Sequence, residues 1–354
     1  MRALWILPWA HWQDRAERSL AIPPLDRVQR STPELKNAIT FREMRDQKAW
    51  PRIAVVGAGA VGGYFGGILA AAGAPVVMIG RPAFVDVVTR DRLFLDTLEF
   101  QKCVRVEASP DLASARGADL VLFCVKTTDN AATARELASY LAPNALVLSL
   151  QNGVDNTEQI RAASGIKALP AVVYVAASVP KPGHIKHAGR GDLVIGPESE
   201  RTKAIAEMFE RAKIPCRITD NIEGELWVKL IWNCALNAIS ALGQARYRQI
   251  AASEDARQVV EEVVTEVLAV ARAAHISLPG VPDCQTALAG AMKIATQMAG
   301  QLSSTGQDIN RGKKTEIESL NGYIARRGAE LGISTPVNHA LYTLVKLLET
   351  RKQG

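Results

Sequence analysis

The sequence predicts an α/β protein whose first part is built on a parallel sheet and whose second part is all helix. Three observations carry this. A short β-branched strand runs directly into a glycine-rich turn, apolar strands alternate with helices as far as residue 219, and the remainder is helix-rich to the end. The chain has 354 residues, enough for two or three domains of ordinary size. Hydrophobic residues make up 48% and charged residues 22%, a balance that buries a large core and excludes wholesale disorder.

Residues 1–50 differ in character from the rest of the chain. Trp5, Trp9 and Trp12 stand close together, and nine basic residues outnumber six acidic ones. The apolar start at Leu4 to Trp9 runs into His11, Gln13, Asp14 and Arg15, which is too short and too soon charged for a secretory signal. Acids at Asp14, Glu17, Asp26 and Glu34 argue against a transit peptide. The segment is read as a poorly ordered or artefactual extension, with Met44 as an alternative start.

Ile53-Ala54-Val55-Val56 reads as a buried strand and ends in Gly57-Ala58-Gly59-Ala60-Val61-Gly62. A G-x-G-x-x-G turn alone is weak evidence, and context decides it. A small-residue helix is expected over Tyr64 to Ala72, Gly73 suits its C-cap, and Pro75 to Ile79 reads as a second parallel strand. That is the βαβ unit of a Rossmann-type dinucleotide-binding domain. Gly57 permits the tight turn, Gly59 lets the backbone approach a pyrophosphate, and Gly62 allows close helix-to-strand packing, with Ala58, Ala60 and Val61 completing the turn. At the end of the second strand stand Gly80-Arg81-Pro82, with no acid before Asp86. A carboxylate there would read the ribose hydroxyls of NAD. Arg81 instead suits the 2′-phosphate of NADP.

Asp119 to Val125 is the next near-continuous apolar strand, followed by Lys126 and a helix over about Asn130 to Tyr140; Ala145 to Leu150 then runs into Gln151-Asn152-Gly153. Lys126 and Asn152 therefore fall at the carboxyl ends of parallel strands, the edge where open α/β sheets bind ligands. Taken singly, either is more often just a polar residue that ends a strand. Ala171 to Gly196 changes to short β-type runs with turns and includes His184 and His187. No third ligand stands near the histidine pair, so no metal is expected.

After a last strand at Ile214 to Thr219, Asp220 or Asn221 caps a helix, which places the domain boundary near residue 220. Three segments are thus expected: the extension 1–50, a dinucleotide-binding domain 51–219, and a helical domain 220–354. Within Glu225 to Asn237, the polar residues Glu225, Lys229, Asn233 and Asn237 recur every four positions on one face of an otherwise apolar helix. Such a stripe faces either solvent or a wet cleft; in a cleft it presents one ammonium and two amides. Ser303 to Ile309 reads as a polar loop or helix end, and Lys314 to Tyr323 opens another helix, where Glu316 is explicable by the helix dipole alone.

Formal net charge is +6, half of it from residues 1–50, too mild and too evenly spread for a nucleic-acid binder but compatible with a small anionic ligand. The longest apolar run, Ile68 to Ile79, is broken by Gly73 and Pro75 and is too short to cross a membrane. Five scattered cysteines (Cys103, Cys124, Cys216, Cys234, Cys284) form no C-x-x-C pair and fit a reducing cytoplasm.

The glycine turn, Cys124-Val125-Lys126, Gln151-Asn152-Gly153, Gly189-Arg190-Gly191-Asp192, Glu225 to Leu230 with Asn233 and Asn237, Ser303-Ser304 with Gln307-Asp308, and Thr315-Glu316-Ile317-Glu318 with Asn321-Gly322-Tyr323 together resemble the ketopantoate reductase (2-dehydropantoate 2-reductase) family. The resemblance spans about residues 52 to 348 in the family's order. It implies NADPH-dependent reduction of ketopantoate to pantoate in pantothenate biosynthesis, with Lys229 as general acid and Glu316 as the acidic partner that holds it. It further implies that Asn152, Asn233, Asn237 and Ser304 contact the substrate, that Lys126 and Asn152 lie near the nicotinamide, and that Arg81 reads the NADP phosphate. A small anionic 2-oxo acid is the implied partner, and the helical domain leaves room for a homodimer. Two departures concern the substrate: Gln301 stands three residues before Ser304 where an asparagine near the serine pair is usual, and Arg246-Tyr247-Arg248 follows Asn237 where a smaller polar residue is expected. The alternatives are a reductase of the same family acting on another branched 2-oxo or 3-oxo acid, and a non-catalytic NADP-binding sensor.

Overall fold

Four consecutive fully buried residues, Ile53–Val56, form β1, third from one end of a 10-stranded sheet. The computed structural model describes residues 49–350. The expectations for residues 1–48, Met44 included, fall outside them. β1 pairs in parallel with β2 (Val76–Ile79) on one side and with β6 (Leu120–Phe123) on the other. β5 (Glu107–Ser109) extends the β2 edge, while β7 (Leu146–Ser149) and β8 (Leu169–Lys181) extend the β6 edge, all parallel. The resulting order, β5-β2-β1-β6-β7-β8, is that of a dinucleotide-binding sheet, with its strand order reversing beside β1. Every residue of β1, β2, β6 and β7 is buried, as expected for parallel strands covered on both faces.

The first helix, α1, spans Ala60–Ala71 and begins four residues earlier than the sequence suggests. Gly59 is its N-cap, so the second half of the glycine turn is already helical, and the small side chains there offer no signal that separates turn from helix. Residues 82–109 carry elements that the sequence pattern leaves unassigned: α2 (Pro82–Asp91), with Pro82 in the first turn, and the strands β3 (Leu93–Asp96) and β4 (Gln101–Val104). Leu93 and Leu95 are buried while Phe94 and Asp96 are half-buried, a period-two pattern too short to stand out.

Ala171 to Gly196 differs from the expected short runs. β8 and β9 (His184–Ile195) are two long antiparallel strands, and three register shifts between them break the alternation that would have announced their length. β9 also pairs in parallel with β3 and with β10 (Cys216–Ile218), so the sheet continues past the dinucleotide-binding order. His184 lies 3.5 Å from Asp96, whereas the His187 ring sits 4.6 Å from that of Tyr64. Among the described residues no cluster of three or more His, Cys, Asp or Glu side chains could hold a metal ion.

α3 (Asn130–Ala138), α4 (Asn156–Ser164) and α5 (Glu200–Arg211) complete the sheet half. The helical half begins at α6 (Ile222–Gly243), capped by Asn221, whose Oδ1 accepts from the Gly224 amide at 3.0 Å. By length and composition alone α6 could cross a membrane, but 61% of its apolar window is buried inside the protein, the signature of a core helix. Around it lie α7 (Tyr247–Ala252), α8 (Glu254–Ala273), α9 (Cys284–Gln297), α10 (Ser304–Asn310), α11 (Asn321–Glu330) and α12 (Pro336–Thr350).

One buried carboxylate fixes the start of α12. Glu266 on α8 accepts hydrogen bonds from the Val337 and Asn338 amides (2.8 and 2.9 Å) and from the Asn338 side chain (2.8 Å). It thereby satisfies orphan donors at a positive helix end. Replacing Glu266 with Ala strands these donors in the core, so thermal unfolding should show a loss of about 1.5–3 kcal/mol; an unchanged Tm would remove this account of how α12 is anchored.

Candidate active site

The glycine turn opens the site. Gly57 has φ +100°, and a Cβ there would lie 2.7 Å from the Cys124 carbonyl carbon, so the backbone of the turn touches the end of β6. A Cβ at Gly62 would lie 2.3 Å from the Gly57 oxygen, which is the close helix-to-turn contact expected of that position. At Gly59 nothing lies within 4 Å of a Cβ position, and this open side of the turn leads into the amino end of α1. The turn thus leaves open space beside the amino end of α1, the kind of place where a helix start could face a pyrophosphate. Arg81 is exposed at the carboxyl end of β2, in extended conformation just before α2.

Three candidate residues come together at the carboxyl ends of β6 and β7. The Lys229 ammonium donates to Asn152 Oδ1 at 2.9 Å and to the Val173 carbonyl of β8. The other end of the same amide, Asn152 Nδ2, donates to Glu316 Oε2 at 3.1 Å, and the Thr127 backbone N–H donates to Glu316 Oε1 at 3.3 Å. The expected lysine–carboxylate pairing is thus made through an intervening amide: among the described residues no ion pair joins Lys229 and Glu316 directly. An amide in this role has a physical advantage, because its oxygen must face the donor and its nitrogen the carboxylate, which fixes its orientation at both ends.

Burial sets the electrostatics. It pushes the Lys229 ammonium down to about 8, while the negative charges of Glu316 and Asp192 work against that shift and the Arg190 guanidinium adds to it. Burial likewise raises Glu316, opposed by the donated bonds from Asn152 and Thr127 and by the charge of Lys126. A lysine driven toward neutrality beside a buried carboxylate has the properties of a proton donor rather than of a surface charge.

Asn152 is held from behind by buried amides, of which Gln151 belongs to the motif that carries Asn152 while Asn130 and Asn156 belong to none. Gln151 accepts from the Ser149 hydroxyl (2.8 Å) and donates to the Val125 carbonyl (2.7 Å) and to Asn130 Oδ1 (2.5 Å). Asn130 donates to Asn156 at 2.9 Å, and Asn156 donates to the Asn152 carbonyl at 2.7 Å. A polar cluster so fully paired is rigid. Nothing in the spacing of residues 130, 151 and 156 signals it; Asn130 and Asn156 look like ordinary helix starts.

The other candidates lie on α6, at the start of α10 and just after β6. Asn233 is half-buried one turn beyond Lys229, with no hydrogen-bond partner among the described residues. Asn237 is only 4% exposed, and its Oδ1 accepts from the Tyr247 hydroxyl at 3.1 Å, so its amide oxygen is engaged inside the protein. Ser303 is the buried N-cap of α10, accepting from the Gly306 amide and donating to the Asn237 carbonyl (both 3.0 Å), which leaves Ser304 exposed at the first position of that helix. Lys126 pairs with Asp308 at 2.7 Å and donates to the Lys314 carbonyl at 2.7 Å, tying the sheet half to the helical half. The two departures from the family pattern meet in space: the Tyr247 amide donates to the Gln301 carbonyl at 3.0 Å, and Arg246 reaches the Gly300 carbonyl.

Arg190 and Asp192, a motif without an assigned role, also border the site. The Arg190 guanidinium lies 3.8 Å from the centre of the Tyr174 ring and forks onto the Asp192 carboxylate (2.9 and 2.6 Å); Lys229 Nζ lies 5.8 Å from the same ring. Tyr174, Arg190, Asp192 and Trp232 line a cavity of about 520 Å³.

Comparison with known proteins points to one family. A family model described as ketopantoate reductase PanE/ApbA matches residues 53–200, and one described as the C-terminal part of ketopantoate reductase PanE/ApbA matches residues 221–349. The 2-dehydropantoate 2-reductase of Pyrococcus horikoshii is 30% identical over 309 residues, covering 86% of this chain and 99% of the relative. That of Pyrobaculum aerophilum is 33% identical, covering 84% and 97%. The crystal structure of a PanE/ApbA family ketopantoate reductase from Ralstonia eutropha superposes with a TM-score of 0.80 at 46% identity, covering 86% of this chain and all of that one.

Proposed function

The chain belongs to the ketopantoate reductase PanE/ApbA family, and from that premise we propose that it reduces 2-dehydropantoate (ketopantoate) to pantoate with NADPH, a step of pantothenate biosynthesis. The observation that carries the reading is the chain of contacts from Lys229 through Asn152 to Glu316 at the ligand-binding edge of the sheet. The division of labour follows the two halves: residues 51–219 hold the cofactor, and residues 220–354 contribute the lysine and most of the substrate contacts. The five cysteines, all free, suit a cytoplasmic enzyme.

NADPH, when bound, supplies the hydride that reduces the ketone carbon. The open turn at Gly57, Ala58, Gly59, Ala60, Val61 and Gly62 would take the pyrophosphate, with Arg81 toward the 2′-phosphate and Lys126 and Asn152 toward the nicotinamide end. As the carbonyl oxygen gains negative charge, the Lys229 ammonium stabilises it and delivers the proton that completes the alcohol. Glu316 acts through Asn152 to keep the lysine charged and aimed. Asn233, whose amide has no partner among the described residues, and Ser304, exposed at the start of α10, are free to hold the substrate's carboxylate and hydroxyl groups; Asn237 contributes its remaining amide protons.

A second reading, a reductase of another branched 2-oxo or 3-oxo acid, is favoured by one observation: Tyr247 occupies the oxygen of Asn237. A panel of 2-oxo acids assayed with NADPH, ketopantoate included, decides between the readings: the highest kcat/KM on ketopantoate supports the first, and on another acid the second. Oxidation of NADPH with none of them would leave only the non-catalytic sensor.

Cofactor choice gives a separate prediction. A charge-assisted contact to phosphate is worth about 1.5–3 kcal/mol, so NADPH should be preferred over NADH by about 10- to 100-fold, and Arg81→Ala should erase most of that preference. Equal kcat/KM for the two cofactors in the unaltered protein would remove Arg81 from this role.

A further inference from the structure

We propose that the 2′-phosphate of the cofactor is gripped from both halves of the protein, by Arg81 of the sheet half and by Lys313 and Arg311 of the helical half. The inference rests on the NADPH reading and assigns residues to it that neither the motifs nor the comparisons single out.

The turn carrying Arg311 and Lys313 is built rigidly. α10 ends at Asn310, and the next three residues fold back onto it: the Gly312 amide donates to the Ile309 carbonyl at 3.1 Å and the Lys313 amide to the Asp308 carbonyl at 2.9 Å. These are the paired bonds of a helix C-terminal cap that requires a left-handed residue, and Gly312 supplies it with φ +63°. Arg311 and Lys313 therefore flank a fixed turn.

That turn is docked against the sheet's ligand edge by contacts on both sides of it. Before it, Asp308 pairs with Lys126; after it, the Lys314 carbonyl accepts from the same lysine, and Glu316 accepts from the Thr127 amide. Lys126 and Thr127 follow β6, which neighbours β1, and Arg81 follows β2 on the other side of β1. The docking brings Lys313 within electrostatic reach of Arg311, Lys126 and Arg81; burial first, then these charges, hold its ammonium below the usual lysine value, against the opposing pull of Asp308.

The charges do not balance locally. Asp308 is engaged by Lys126 at 2.7 Å. Among the described residues Arg81, Arg311 and Lys313 make no ion pair, and all three are exposed. One carboxylate, Asp308, faces Arg311, Lys313 and Lys126, so positive charge is in excess there, and an anion entering between Arg81, Arg311 and Lys313 is attracted by all three at once. The end of the second strand is where this sheet type places the adenosine ribose. A 2′-phosphate carrying close to two negative charges fits that demand, whereas the plain hydroxyl of NADH offers the cluster nothing to hold. Because the three cations come from both halves, the phosphate also ties the halves together.

Titration calorimetry with 2′,5′-ADP and 5′-ADP on the full chain tests this without turnover. Lys313→Ala and Arg311→Ala should each weaken 2′,5′-ADP by roughly tenfold, leave 5′-ADP and NADH unchanged, and make 2′,5′-ADP binding less sensitive to salt. Lys313→Arg should retain most of the affinity. Both residues are exposed, and an unchanged Tm confirms that the variants fold. If the unaltered protein prefers 2′,5′-ADP over 5′-ADP and Lys313→Ala keeps that preference in full, this proposal fails and the NADPH reading stands. If the unaltered protein binds the two alike, the NADPH reading fails and takes the proposal with it. A raised KM for the 2-oxo acid with unchanged 2′,5′-ADP affinity would reassign the cluster to the substrate carboxylate and overturn the proposal.

Discussion

Lys229→Ala should lower kcat by about 10²- to 10⁴-fold, the range usual for one positioned acid or base, while NADPH still binds. The two effects separate because the glycine turn and Arg81 lie on the sheet half and the lysine on α6. Asn152→Ala should cost turnover as well, since it removes the group that links Lys229 to Glu316. Glu316→Ala frees the amide nitrogen of Asn152 and lets it turn, so part of the lysine's aim is lost with it. Residues that act as one unit are not additive: the Lys229→Ala, Glu316→Ala double variant should be little worse than Lys229→Ala alone. Steady-state kinetics of the four proteins, with NADPH affinity measured by fluorescence, gives the cycle. A Lys229→Ala protein with unaltered kcat on its best substrate would leave the lysine a buried structural cation and the proton donor unassigned.

How far the site is legible in the sequence depends on the range of the interactions that build it. The glycine turn, Arg81, Lys126 and Asn152 are readable because each stands at a fixed offset from a strand whose apolar run is unmistakable. Lys229 and Asn233 are readable as a stripe because helical period alone puts them on one face. The bridging position of Asn152 is not, because it depends on three segments, near residues 152, 229 and 316, meeting in space. Asn237 shows the limit of periodicity: it shares the stripe with Lys229, yet Tyr247, ten residues on, covers it. The β8–β9 hairpin escapes the sequence pattern for a local reason, since each register shift resets the two-residue alternation on which a strand is recognised.

The pH dependence of turnover should carry the mark of the buried lysine. Reduction needs the ammonium, and Lys229 is pushed down to about 8 from its ordinary 10.5. The reductive kcat should therefore be flat below pH 8 and fall by about tenfold per pH unit above it; oxidation of the hydroxy acid, which needs the neutral amine, should rise toward pH 8 and then level. Unfolding does not explain such a fall. A lysine lowered on folding binds fewer protons in the native state between pH 8 and 10.5, so its burial opposes folding most strongly below that window, and this contribution becomes more favourable as pH rises through it. The direction can be checked by removing one neighbouring charge. Glu316 is the largest influence holding the lysine up, so Glu316→Gln, which keeps the shape but not the charge, should move the falling limb to lower pH, and Asp192→Asn should do so by less. Arg190→Met removes a positive neighbour and should move it the other way. A limb that stays in place in Glu316→Gln, or moves to higher pH, would mean that the titrating group is not Lys229.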